Sequence, residues 1–308
     1  MRRWLLALLI FVPLAAISRA DDLPAHERQR DVIYGRKHGV ALTMDVFMPK
    51  ENRNGGAVIA VVSGGWISNH ESIDGAVKMG FGAEFLRRGY TVFAVVHGSQ
   101  PKYTIPEAIE DMHRSVRYIR YHAKDYQIDP ERIGITGGSA GCHLSLMLGV
   151  GGKDGDPKAK DLADQVSSKV QAVGGFFPPT DFFNYGTTGK SAENIIRAGP
   201  FAPAFDFRER DKKTNNWLPV ADERRKELLK QISPIYSVTP QTAPTLLIHG
   251  DKDLLVPIQQ SEIMIEKLKE NKVPCELIVH KGGSHGWLGI DKDVAKIADW
   301  FDKNMPKK

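Results

Sequence analysis

The stretch Arg132–Val150 reads RIGITGGSAGCHLSLMLGV, and the fold turns on how it is read. It opens on a β-rich run through Ile133, Ile135 and Thr136. It passes through Gly137-Gly138-Ser139-Ala140-Gly141 and continues from His143 to Val150 as an apolar segment of helical character. A strand that runs through G-x-S-x-G straight into a helix forms a nucleophile elbow. The turn is so tight that small residues must flank the serine, which accounts for Gly137 and Gly141. It holds the hydroxyl above the sheet, at a helix N-terminus that favours developing negative charge. Alone, G-x-S-x-G is a common string, and a glycine-rich turn without chemistry is the competing reading. The strand and helix on either side make it specific.

Outward from this stretch the same alternation recurs. Ala57–Val62 is a continuous apolar run, as a strand buried on both faces should be. Thr91–Val96, Ala172–Phe177, Thr245–His249 and Cys275–Val279 repeat it, and Ala41–Phe47 alternates like an antiparallel lead-in strand. Between them, Ala108, Ile109, Met112, Val116 and Ile119 after Pro106 keep helical spacing. Ile258, Ile265 and Leu268 mark a second helix, and Val294, Ile297, Ala298 and Phe301 a third. Strand–helix–strand repetition predicts an α/β fold with a mostly parallel central sheet and helices on both faces. Residues 178–240 break the rhythm, with no clear strand and a charged helical piece near Asp222–Ile232. A structureless loop of that length is unusual inside a compact core. The segment reads as an inserted cap or lid over the C-terminal edge of the sheet.

A serine hydroxyl becomes a nucleophile only when a base takes its proton, and the base needs a carboxylate to orient it. Two later loops supply these groups at C-terminal strand ends. His249-Gly250-Asp251-Lys252-Asp253 follows one strand, and Gly282-Gly283-Ser284-His285-Gly286-Trp287 follows the last. The order Ser139, Asp253, His285 leaves intervals of 114 and 32 residues, room for the insertion and then one helix–strand unit. Asp251 is the rival acid, while His143 and His249 read as local hydrogen-bonding groups. An oxyanion hole needs backbone N–H groups from Ala140 and from the loop after an early strand, which here is Ser63-Gly64-Gly65-Trp66. Trp66, His97 and Trp287 are the candidates for lining a substrate pocket. The chemistry calls for no metal and no organic cofactor.

The N-terminus reads as an export signal. Arg2 and Arg3 precede an uncharged, mostly apolar run from Trp4 to Ile17, and Ser18-Arg19-Ala20 places small residues where a signal peptidase cleaves. Removing residues 1–20 takes away three arginines and no acid. The balance of 42 Lys+Arg against 37 Asp+Glu then becomes 39 against 37, so a net charge of +5 falls to +2. No basic stripe with interleaved aromatics is present, which argues against a nucleic-acid partner. No other apolar run is long enough to span a membrane, so the expected product is an exported periplasmic or secreted chain, residues 21–308. Its two cysteines, Cys142 and Cys275, read as buried core side chains rather than a disulfide.

Taken together, these residues resemble the α/β-hydrolase superfamily, within it the esterase and lipase group related to hormone-sensitive lipase and to bacterial feruloyl and acetyl-xylan esterases. The resemblance spans roughly residues 31–305. Asp253 fits that group's His-Gly-x-x-Asp-x-x-Val-Pro motif and His285 its Gly-x-His-Gly motif. The resemblance implies an α/β-hydrolase fold with Ser139 as nucleophile, His285 as base and Asp253 as orienting acid, acting on a small-molecule or carbohydrate ester. The chain departs from the group in its oxyanion loop. Val62-Ser63-Gly64-Gly65-Trp66 stands where His-Gly-Gly-Gly-Trp is usual, His97-Gly98 replaces a Tyr-Arg pair, and Cys142 replaces a glycine. The loss of the loop histidine should alter how the loop is held. An amide-cleaving hydrolase of the prolyl-oligopeptidase type and a non-catalytic binding protein on the same scaffold are the alternative functions.

Overall fold

The computed structural model of the chain describes residues 23–78, 82–187, 189–192 and 199–307. The export segment expected at residues 1–20 lies outside the described residues. Strands β1 (His26–Lys37), β2 (Val40–Pro49), β3 (Ala57–Val62), β4 (Thr91–Val96), β5 (Ile133–Gly138), β6 (Ala172–Phe176), β9 (Thr245–Gly250) and β10 (Cys275–His280) build one sheet. Its order is β1-β2-β4-β3-β5-β6-β9-β10. β1 and β2 pair antiparallel, as do β2 and β4, and the remaining pairs are parallel. The expected mostly parallel α/β sheet and its antiparallel lead-in strand are therefore what the chain forms.

Period-two alternation distributes the core strands between two apolar layers. On β3, Ala57, Ile59 and Val61 face one layer while Val58 and Ala60 face the other. On β4, Phe93 and Val95 oppose Val92, Ala94 and Val96 in the same way. Helices α3 (Ile105–Tyr121), α4 (Ala140–Gly151) and α6 (Gln259–Glu270) cover the first face, and α1 (His70–Lys78), α2 (Ala83–Arg87) and α7 (Ile290–Asn304) the second. Helix α3 begins where the sequence marks it. Thr104 and Glu107 form a capping box, with the Thr104 N–H donating to Glu107 Oε2 over 2.8 Å and Pro106 in the first turn.

The chain winds from β3 to β4 on one side, then crosses to β5 on the other side of β3. That reversal leaves a crevice at the C-terminal ends of β3 and β5, where open α/β sheets place their sites. The loops after β5, β6, β9 and β10 emerge along the same edge.

Three features escape the sequence pattern. β1 is an edge strand with one fully buried side chain, Tyr34, so it shows no apolar run. Helices α1 and α2 are short and their apolar stripes are brief. Residues 178–240 contain β7 (Arg208–Arg210) and β8 (Trp217–Pro219), an exposed antiparallel hairpin, where no strand is expected. The charged helical piece is α5 (Asp222–Gln231), as predicted.

Phe301 on α7 is wholly buried, stacks 5.8 Å from Phe85 and packs under Gly134 of β5. Phe301→Ala should therefore lower the unfolding free energy by about 3–5 kcal/mol. The check is a urea titration, in which the midpoint falls and the slope stays unchanged.

Candidate active site

Ser139 sits between β5 and α4 with φ 53° and ψ −121°, a conformation an L-residue adopts only under constraint. Glycine is required on both sides. A Cβ on Gly137 would lie 2.6 Å from the Gly141 carbonyl carbon, and one on Gly141 would lie 2.8 Å from Val61 O. The Ser139 N–H donates to Phe176 O over 2.9 Å, which ties the turn to the neighbouring strand. This is the strand–turn–helix geometry expected from the motif.

Asp253 and His285 come together as expected. The His285 Nδ1–H donates to Asp253 Oδ2 over 2.7 Å. The second carboxylate oxygen accepts the N–H groups of Leu255 and Val256, each over 2.9 Å. His249 stands 3.4 Å from Oδ2, with its ring held by Ser261 and by Val256 O. Burial alone would raise the Asp253 carboxyl, but hydrogen bonds from His249, His285 and the Val256 N–H outweigh it and hold the group well below the usual carboxylate range. The rival Asp251 is exposed and accepts the Gly282 N–H over 2.7 Å, so it braces the histidine loop from outside. The two loops press backbone to backbone, since a Cβ on Gly250 would meet Gly283 O at 2.3 Å. Phe177, just past β6, packs its ring 4.4 Å from that of His285. No hydrogen bond joins Ser139 to His285 among the described residues, and such bonds are often long until substrate is bound.

The loop after β3 closes into a two-residue turn. Gly64 and Ile67 exchange N–H···O bonds of 2.9 Å, with positive φ at Gly65 (55°) and Trp66 (61°). This corrects the expected oxyanion set, because the Gly64 N–H is consumed by the turn itself. The Gly65 N–H carries no hydrogen bond among the described residues. The Ser63 hydroxyl is also engaged, 2.9 Å from His97 Nε2.

Two cavities meet at Ser139. One of about 590 Å³ is bordered by Ser63, Gly64, Gly138, Phe177 and an apolar wall that includes Ala60 and Val294. The other, about 30 Å³, is bordered by Trp66, Ala140, Phe182, Phe201 and Phe205. Trp66 thus lines a pocket as expected. His97 borders neither cavity, because its ring is turned into the β3–β4 edge and is 3% exposed. Trp287 borders neither as well. Its indole N–H donates to Asp293 over 2.7 Å and its ring stacks on His280, so it supports Phe177 from behind.

His143 is the residue the sequence reading undervalues. From α4 it accepts the Trp66 indole N–H over 3.2 Å and donates to Ile232 O over 2.7 Å, joining α4, the Gly64–Ile67 turn and the chain just after α5. A lone histidine inside a helix that is apolar all round is the signal for such a role, since a buried polar ring must find partners. Cys142 and Cys275 are both unpaired as expected, although Cys275 is only partly buried. Among the described residues, Asp31, Asp45 and His70 are grouped closely enough to hold a metal ion. They stand on β1, β2 and α1, and Arg28 already donates to Asp45 over 2.8 Å.

A family model described as BD-FAE matches residues 44–268. Esterase LipC of Mycobacterium tuberculosis is 25% identical over 266 residues, which covers 85% of this chain and 60% of LipC. The chain spans about half the length of the curated relatives it matches. Among solved structures, a truncated carbohydrate esterase from gut microbiota aligns with a TM-score of 0.69 at 25% identity, covering 93% of this chain and 99% of that one. An acetyl ester-xyloside bifunctional hydrolase from Caldicellulosiruptor lactoaceticus aligns with a TM-score of 0.70 at 22% identity, covering 91% and 97%. With the strand order above, these likenesses identify the α/β-hydrolase fold and bear out the resemblance to its esterase group. Among the described residues no helix is long and apolar enough to cross a membrane.

The site is held by histidines that the fold keeps neutral. Burial pulls both His97 and His143 down to about 4. In the unfolded chain they titrate near 6.5, so the fold gains no proton where the unfolded state does. Their contribution is intact above pH 6.5 and erodes as the pH falls toward 4, by up to roughly 3 kcal/mol for each ring. The thermal midpoint should therefore drop steadily from pH 6.5 to 4.5. His143→Gln should lower the midpoint at pH 7 and flatten that acid slope. A midpoint constant across this range would remove the assignment.

Proposed function

The chain belongs to the BD-FAE family, and we propose that it is an exported serine hydrolase cleaving carboxylic esters through an acyl-enzyme on Ser139. The observation that carries this reading is the 2.7 Å bond from His285 Nδ1–H to the buried Asp253 carboxylate. With Nδ1 committed to donation, Nε2 is left as the base. Ser139 loses its proton to that nitrogen as its oxygen attacks the acyl carbonyl. The N–H groups of Ala140 and Gly65 stabilise the tetrahedral oxyanion, aided by the N-terminus of α4. His285 then returns the proton to the leaving alcohol, and water activated by the same ring releases the acid. Asp253 keeps its charge and stabilises the imidazolium throughout.

The substrate is a small-molecule ester or an ester on a carbohydrate. The likeness to a carbohydrate esterase supports the second, and the larger cavity at Ser139, about 590 Å³, has room for such an ester. Residues 178–240 act as a cap beside Ser139. Their aromatic side chains Phe182, Phe201 and Phe205 pack around Trp66 at ring distances of 5.2–6.3 Å and shape the narrower cavity. The apolar run at Trp4–Ile17 with its basic start supports export and cleavage after Ala20.

Hydrolysis of p-nitrophenyl acetate and labelling by a fluorophosphonate test the reading. Ser139→Ala should abolish labelling and lower kcat by on the order of 10⁴-fold or more, and Asp253→Asn by roughly 10³- to 10⁴-fold. Asp251→Asn should stay within about twofold of wild type, as fits a residue outside the reacting unit. Faster cleavage of aminoacyl amides than of esters would transfer the enzyme to the peptidase class. Folded wild-type protein that takes no label would sink the catalytic reading.

A further inference from the structure

We propose that Ser63 and His97 form a clasp that holds the Gly64–Ile67 turn in register with Ser139, which makes both of them positioning residues for the oxyanion. The inference rests on the reading of Ser139 as nucleophile. The turn is internally closed by the Gly64–Ile67 pair of hydrogen bonds, so it moves as a unit on its stem. Ser63 lies against the elbow, for a Cβ on Gly141 would lie 3.5 Å from Ser63 O and 3.7 Å from Ser63 Cβ. A catalytic donor must be held to within about half an ångström to act on a developing charge.

His97 is built to hold that stem. Its Nδ1 lies 2.8 Å from Gly98 O, a group that can only accept, so Nδ1 carries the proton. Nε2 is then an acceptor alone, and the Ser63 hydroxyl must donate to it over their 2.9 Å separation. The ring cannot swing, because the chain on either side of it is anchored. The His97 N–H donates to Ser68 Oγ over 3.2 Å, and the Gly98 N–H donates to Asp111 over 2.8 Å. Asp111 in turn pairs with Lys37 at 2.6 Å. The far side of the turn is pinned separately, with Gln100 Nε2 donating to Gly65 O over 2.6 Å. The clasp also turns the Ser63 hydroxyl away from the larger cavity that Ser63 borders.

The test measures kcat and KM for p-nitrophenyl acetate, per site titrated to completion with fluorophosphonate, in Ser63→Ala, His97→Leu, His97→Gln and the double variant Ser63→Ala/His97→Leu. Ser63→Ala and His97→Leu should each lower kcat about tenfold with KM within about twofold, less than outright loss of an oxyanion donor. The double variant should lose no more than either single one, as for two ends of one interaction. His97→Gln, whose amide can accept from Ser63, should recover most of the rate. Ser63→Ala with wild-type kcat, additive losses, or His97→Gln as poor as His97→Leu would overturn the clasp while leaving the nucleophile untouched. Wild-type protein that neither turns over nor labels would remove both readings together.

Discussion

Between Gly138 and Ala140 the backbone reverses so sharply that Ser139 is held at φ 53°, a region closed to most L-residues unless the surroundings enforce it. The enforcement is steric and comes from three sides. Gly137 faces the backbone of Gly141, Gly141 faces Val61 O, and Gly175 on the next strand faces the Cys142 sulfur at 2.4 Å from its would-be Cβ. With no side-chain volume at those positions, β3, β5, β6 and α4 close up around the turn. A second glycine contact, between Gly250 and Gly283, brings the loops after β9 and β10 together. The close approach of these two loops places Asp253 beside His285.

Around this turn the polar groups follow one pattern. Three buried histidines near it each donate one ring N–H to a backbone carbonyl and accept at the other nitrogen. His97 does so with Gly98 O and Ser63, His143 with Ile232 O and Trp66, and His249 with Val256 O and Ser261. A carbonyl partner fixes the tautomer, and burial keeps His97 and His143 uncharged. His285 differs in that its fixed nitrogen faces a carboxylate and its ring is partly exposed. That contrast separates the ring suited to carry a proton from the three that hold the scaffold.

Much of this was legible before folding was considered. The parallel strands are buried on both faces and so read as continuous apolar runs, and the helices between them keep a 3.6-residue stripe. Gly137 and Gly141 announce the turn because no larger residue fits. β1 was not legible, since an exposed edge strand needs no apolar pattern. Nor could the sequence show that the Gly64 N–H is spent inside its own turn, which depends on the positive φ of Gly65 and Trp66 together. His97 and Trp287 followed strands and so resembled pocket residues, yet packing turns the first into the β3–β4 edge and the second onto His280.

By itself, then, the amino-acid order determined the parallel strands, the elbow, and the loops at the strand ends that carry the serine, the two candidate acids and the histidine, because each follows from local pattern and from the direction of parallel strands. What only the tertiary structure decided is which of the nearby polar groups meet. Asp253 rather than Asp251 reaches His285 because the first is turned inward by two backbone N–H groups and the second is drawn outward by Gly282. His143 spans three segments, from Trp66 to Ile232, that lie far apart in the chain. Partnership of that kind is set by the packing of loops against one another, and no spacing in the sequence encodes it.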